Sequence, residues 1–159
     1  MKTFRYTPLV GLIFWSIGLF CQNAHAEGSF DGFAGRWSGN GNINFTSGAT
    51  ELVRCIATYF PSSNGASLKV NIRCASPGLK IDVKGSLESA GGKLRGSFEE
   101  RTYNASGSIS GTVSQGNIEA RIIGQDWSSS LSVKNYGEAV VLTPQGGAVK
   151  SVVMHFAKN

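Results

Sequence analysis

Histidine, cysteine and helical periodicity are scarce in this chain. Its 159 residues contain two histidines, three cysteines and four prolines. His25 and Cys21 fall in the first 26 residues, which leaves His155, Cys55 and Cys74 for the rest of the chain. A lone histidine between Met154 and Phe156 supports no Ser–His–Asp relay. One imidazole and two cysteines are too thin a donor set for a transition-metal site. The carboxylates are scattered, with Glu99-Glu100 the one adjacent pair. No glycine-rich turn stands between a strand and a helix to cradle phosphate. The sequence therefore assigns no catalytic residue, no metal and no cofactor, and it reads as a non-enzyme. There is also no basic run. The 15 Lys+Arg and 10 Asp+Glu are interspersed, as on an ordinary solvated surface, so nucleic acid is not an expected partner.

What is present begins with an export signal. Lys2 and Arg5 form a positive n-region, Leu9 to Phe20 is an apolar run of twelve residues, and Ala24-His25-Ala26 is an A-x-A cleavage site. Twelve residues rise only about 18 Å as a helix, short of the roughly 30 Å hydrocarbon core of a bilayer. Residues 1–26 are thus expected to be a cleaved secretory signal. Bulky Phe20 before Cys21 argues against lipoprotein processing. The mature protein, expected to start at Glu27, would lie in the periplasm or outside the cell and would not span a membrane. Losing Lys2 and Arg5 leaves 13 basic residues against 10 acidic, a net +3. About 133 residues remain, enough for one domain, with no feature demanding an oligomer.

Past residue 30 the pattern has period two. Leu68, Val70, Ile72 and Cys74 point one way, and Lys69, Asn71 and Arg73 the other. Similar runs cover 37–45, 52–60, 79–87, 94–98, 109–113, 118–122, 127–133, 139–143 and 149–156. Turn residues punctuate them at Ser47-Gly48, Asn64-Gly65, Ser76-Pro77-Gly78, Gly91-Gly92, Asn104, Gln115-Gly116-Asn117, Gln125-Asp126, Asn135-Tyr136-Gly137 and Gln145-Gly146-Gly147. Short connections make consecutive strands antiparallel neighbours. The predicted fold is all-β: an antiparallel up-and-down meander of about 8–10 strands, closed into a barrel or strongly curled roll, with a β-sandwich as the alternative. Gly85, Gly96, Gly111 and Gly124 are read as glycines within strands that permit bending. An outer-membrane barrel is disfavoured by short connections at both ends and by the absence of paired aromatic girdles. Residues 27–35 read as a flexible leader and 36–157 as the domain.

One hairpin has sharp geometry. Asn64-Gly65 is a strong type I′ turn signal. If those two residues form the loop, opposing positions sum to 129 and Cys55 faces Cys74. Two cysteines in an exported chain predict a disulfide. A two-residue loop would put this pair at a hydrogen-bonded site, which is less comfortable for a cross-strand bridge. Pro61 cannot donate to the ladder, and a bulge or longer loop there would change that parity.

Gly35-Arg36-Trp37 at the head of the first strand resembles the G-x-W opening of lipocalin-like, calycin-type barrels, in which the Trp plugs one end. Avidin-like barrels also carry a Trp near the first strand, and the texture is similar to that of small secreted bacterial β-proteins. The lipocalin-like resemblance implies a barrel around a hydrophobic pocket.

The aromatics Trp37, Tyr59, Phe60, Phe98, Tyr103, Trp127 and Tyr136 are expected first as core and rim. Trp37, Tyr59, Phe98 and Trp127 are the candidate ligand contacts. Glu100 shares the face of Leu94, Gly96 and Phe98, and two readings stay open. It is solvated beyond the strand end, or it is an inward carboxylate paired with Arg36 or Arg101. The expected function is binding of a small apolar or amphipathic ligand. The alternative is an envelope interaction module, or a protease-inhibitor-like protein, with a filled core.

Overall fold

A computed structural model describes residues 29–145 and 147–159. The signal expected in residues 1–26 and the cleavage point at Glu27 lie outside the described residues. A one-turn 3₁₀ helix, Asp31–Phe33, precedes ten strands: β1 (Gly35–Phe45), β2 (Thr50–Pro61), β3 (Ser67–Ala75), β4 (Lys80–Ala90), β5 (Lys93–Glu100), β6 (Ala105–Ser114), β7 (Asn117–Ile123), β8 (Ser128–Lys134), β9 (Glu138–Gln145) and β10 (Val149–Lys158). Each strand pairs antiparallel with the next, and β10 pairs with β1, so the meander closes into a barrel. Closure pairs β1 and β10, the strands that would otherwise be exposed edges.

The structure puts the apolar face of that alternation inside. Leu68 and Val70 are buried, while Lys69, Asn71 and Arg73 are exposed. Arg95, Ser97 and Glu99 of β5 likewise face outward around Gly96 and Phe98. A charged outer wall is the reverse of a lipid-facing barrel, whose apolar side chains point out. Among the described residues no helix is long and apolar enough to cross a membrane.

The β2–β3 hairpin keeps the predicted register, with Cys55 opposite Cys74 and Tyr59 opposite Val70. Its loop is longer than two residues. The Ser62 amide donates to the Ser67 carbonyl (2.8 Å), and the Gly65 amide donates to Ser62 O inside that closure (2.9 Å). Asn64 Oδ1 accepts from the Ala66 amide. Two more loop residues leave the sum of opposing positions unchanged but invert the hydrogen-bonding parity. Cys55 and Cys74 therefore occupy a non-hydrogen-bonded site, where side chains approach most closely. They form a disulfide with Cα atoms 4.0 Å apart.

Residues 29–34 correct the expected flexible leader. Phe30 is fully buried and Phe33 nearly so. The Phe30 amide donates to Gly65 O, and Ser89 Oγ donates to Ser29 Oγ. The segment folds across the end of the barrel where β1 starts and β2 finishes, and shuts it. A second correction concerns Gly124, which lies in the β7–β8 connection rather than in a strand. Gly96 and Gly111 do lie within strands, and a Cβ at either would come within 2.3 Å of a neighbouring carbonyl oxygen. Close approach of backbones is their role there.

Candidate functional site

The plug is built from aromatic rings. Phe33 contacts Phe30, Tyr59 and Tyr136 at centroid separations of 6.3, 5.7 and 4.9 Å, each edge to face. Trp37 stands beside them, its ring 6.4 Å from Tyr59. Its indole N–H donates to the Phe33 carbonyl at 2.8 Å, tying the strand to the plug. Lys158 Nζ sits 5.8 Å from the Trp37 ring centroid. Tyr136 reaches in from the β8–β9 turn with φ +64. Its ring occupies the space a side chain would need at Gly32 and Gly116, where a Cβ would fall 2.3 and 2.5 Å from ring carbons.

Two clusters fill part of the interior. Phe30, Phe33, Leu68, Val70, Leu87, Leu94, Val113 and Ile118 form the first. Ile43, Val53, Cys55 and Met154 form the second, against the β1–β2–β10 wall. Against the first cluster a cavity of about 420 Å³ remains. Its wall is almost wholly apolar and includes Phe33, Tyr59, Phe98, Ile109, Trp127 and Phe156. Tyr103 also lines it and is 59% exposed, so the cavity reaches the surface at the end opposite the plug. An apolar space offers water few partners, so it favours an apolar guest or stays dry.

Of the four candidate contacts, Tyr59, Phe98 and Trp127 line this one cavity, and Trp37 belongs to the plug instead. Phe98 and Trp127 pair at the mouth with centroids 5.8 Å apart. The Trp127 indole lies over Gly124, where a Cβ would fall 2.4 Å from the ring. The Gly124 amide donates to the Trp127 carbonyl. Burial pushes the Tyr59 phenol up to about 12, so its hydroxyl stays neutral inside the barrel.

Glu100 is inward, as one of the two readings had it, but without the arginine partner. It is buried at 8% exposure and lines the cavity, yet its partners are not arginines. Oε1 accepts the Asp82 and Thr102 amides at 2.9 and 3.0 Å, and Oε2 accepts the Tyr103 amide at 2.6 Å. The strand ends here, and the carboxylate satisfies the amides the ladder abandons. Arg101 instead reaches Asp82 at 3.9 Å. Burial alone would raise the Glu100 carboxyl, but the backbone donors outweigh it and hold it below its ordinary value of 4.5. A depressed carboxyl contributes stability that is complete above its unfolded value and lost as pH falls through the folded one. Glu100→Gln should therefore cost about 1–3 kcal/mol at pH 7, and its deficit should shrink below pH 4.5. Urea unfolding of both proteins from pH 7 to pH 3 checks this, and parallel profiles would contradict it.

Sequence reasoning missed Phe30, Phe33, Phe156 and the contact roles of Tyr103 and Tyr136. The Phe30-x-x-Phe33 spacing was the one available signal for the plug. His155 is exposed on the outer face of β10, away from the cavity. Among the described residues no cluster of His, Cys, Asp and Glu is arranged to hold a metal ion. Against known protein families and characterised proteins, the chain matches no family model and no individual sequence.

Proposed function

We propose that this protein is an exported, non-enzymatic β-barrel, lipocalin-like in plan, that binds a small apolar or amphipathic ligand in its interior. The observation carrying this reading is the cavity of about 420 Å³, apolar in lining and reaching the surface at the end that carries Tyr103. That volume is nearly three times the roughly 150 Å³ apolar cavity that suffices for benzene. The Trp at the plugged end and the meander closure support the lipocalin-like plan. The barrel has ten strands where lipocalins have eight, so the likeness is one of design rather than strand count. The export features in residues 1–26 and the Cys55–Cys74 bridge support a periplasmic or extracellular site of action.

Trp127 is the natural reporter, because it lines the cavity and Trp37 does not. In a Trp37→Phe background, polycyclic or alkyl probes should change the remaining Trp127 emission saturably. Val83→Phe, which pushes a ring into the cavity, should weaken binding at least about tenfold. His155→Ala should bind like the parent. Absence of saturable binding by folded protein across a broad apolar library would overturn the proposal. It would favour the interaction module, for which one observation speaks. Leu52, Ile56 and Phe60 on the outer face of β2 are 62, 41 and 52% exposed. Leu52 and Ile56 border a groove of about 870 Å³ with Arg54 and Arg73. Grouped exposed apolar side chains commonly mark a contact surface.

A further inference from the structure

The cavity carries one feature that a purely apolar guest would waste. Glu100 is a buried carboxylate in its wall, held by three backbone amides. Among the described residues it has no ion-pair partner. Arg73 and Arg101 both go to the neighbouring Asp82, at 3.8 and 3.9 Å. Amide donors spread the negative charge of a carboxylate without cancelling it, and a low-dielectric wall preserves its field. Three aromatic residues share the same end of the cavity. Phe98 stands two positions before Glu100 on the inward row, Trp127 lies 5.8 Å from Phe98, and Tyr103 donates its amide to Glu100. Aromatic faces around an uncompensated carboxylate are the chemistry that recognises a substituted ammonium group.

We propose that the ligand is an amphiphile with a cationic head, an amine or quaternary ammonium, held at the mouth by Glu100, Phe98, Tyr103 and Trp127 with its hydrocarbon body inside the barrel. This inference rests on the interior being the ligand site. The chain expected after cleavage is still cationic, net +3 from 13 basic and 10 acidic residues, so its long-range field favours anions. A preference for cations must therefore come from the site itself.

The test uses decyltrimethylammonium, decanol and decanoate, each below its micellar concentration, with affinity read by calorimetry and Trp emission. The cation should bind on the order of tenfold more tightly than the alcohol, and decanoate more weakly than both. In Glu100→Gln, shown folded by circular dichroism, the cation should lose its advantage and bind no more tightly than the alcohol does to the same variant. Should that variant fail to fold, Trp127→Leu takes its place. Read by calorimetry, it should cut the ratio of cation to decanol affinity severalfold. Decanoate binding as tightly as the cation would overturn the inference while leaving the ligand site standing. So would a cation advantage that persists in the variant used. Binding of none of the three would instead sink the ligand site, and this inference with it.

Discussion

Phe33→Ala is expected to lower the unfolding free energy by about 3–5 kcal/mol, the range for deleting a buried aromatic ring. Phe33 is 2% exposed and touches Phe30, Tyr59 and Tyr136 together. Its carbonyl also receives the Trp37 indole proton. Removing the ring leaves a void bounded by strands that cannot collapse, because the closed ladder holds them apart. The loss should thus sit at the upper end of the range. Urea unfolding measures it, and a loss under about 1 kcal/mol would show that the plug is not part of the core. A second readout reports on the same contact. Burial raises the Tyr59 phenol to about 12, so its contribution to stability is complete below its ordinary value of 10 and is lost as pH climbs through the folded value. With Phe33 gone, phenolate absorbance should show Tyr59 ionising closer to 10 than to 12.

The second large effect is expected from the disulfide. The bridge joins residues 19 apart in sequence, and loop-closure entropy for a ring of that size gives about 3 kcal/mol. The double variant Cys55→Ala/Cys74→Ala should lose roughly that amount, with a melting temperature lower by about 10 °C. Cys55 is 2% exposed beside Met154, so alanine, which buries no unpaired polar atom, is the appropriate replacement. Wild-type protein treated with reductant should fall to a similar stability. Peptide mapping without reductant should recover the segments around Cys55 and Cys74 as one linked species. A double variant within about 0.5 kcal/mol of the parent would mean that the hairpin register is held by the ladder alone.

The ten strands were legible because each is a run of strict alternation broken by turn residues, and the barrel interior is the sum of those apolar faces. Cys55 opposite Cys74 was legible for the same reason. A hairpin register depends on where the turn lies, and Asn64-Gly65 marks it. The loop length was not, since two-residue and four-residue loops centred there give identical partners. Only the Ser62–Ser67 closure decides the parity that makes the bridge comfortable. Tyr59, Phe98 and Trp127 were placed on the inner face by alternation, whereas their meeting around one space depends on how the sheet curls.

Glu100 and the plug show where local pattern stops being informative. Alternation pointed Glu100 inward, but nothing in a linear sequence reveals that the β5–β6 turn will offer two amides, and β4 a third, to its carboxylate. Glycine, serine and a charged residue around Phe30 and Phe33 read as a leader. Their burial follows from barrel closure, because a ten-strand ring has an apolar end that must be covered. The sequence by itself determined the fold class, the apolar face of each strand and the hairpin register, all of which depend on neighbours a few residues apart. The tertiary structure alone decided which end is shut, how much of the interior stays empty and which carboxylate faces it. Those properties depend on the diameter of the closed sheet and on which side chains meet across it, and no short stretch of chain contains either.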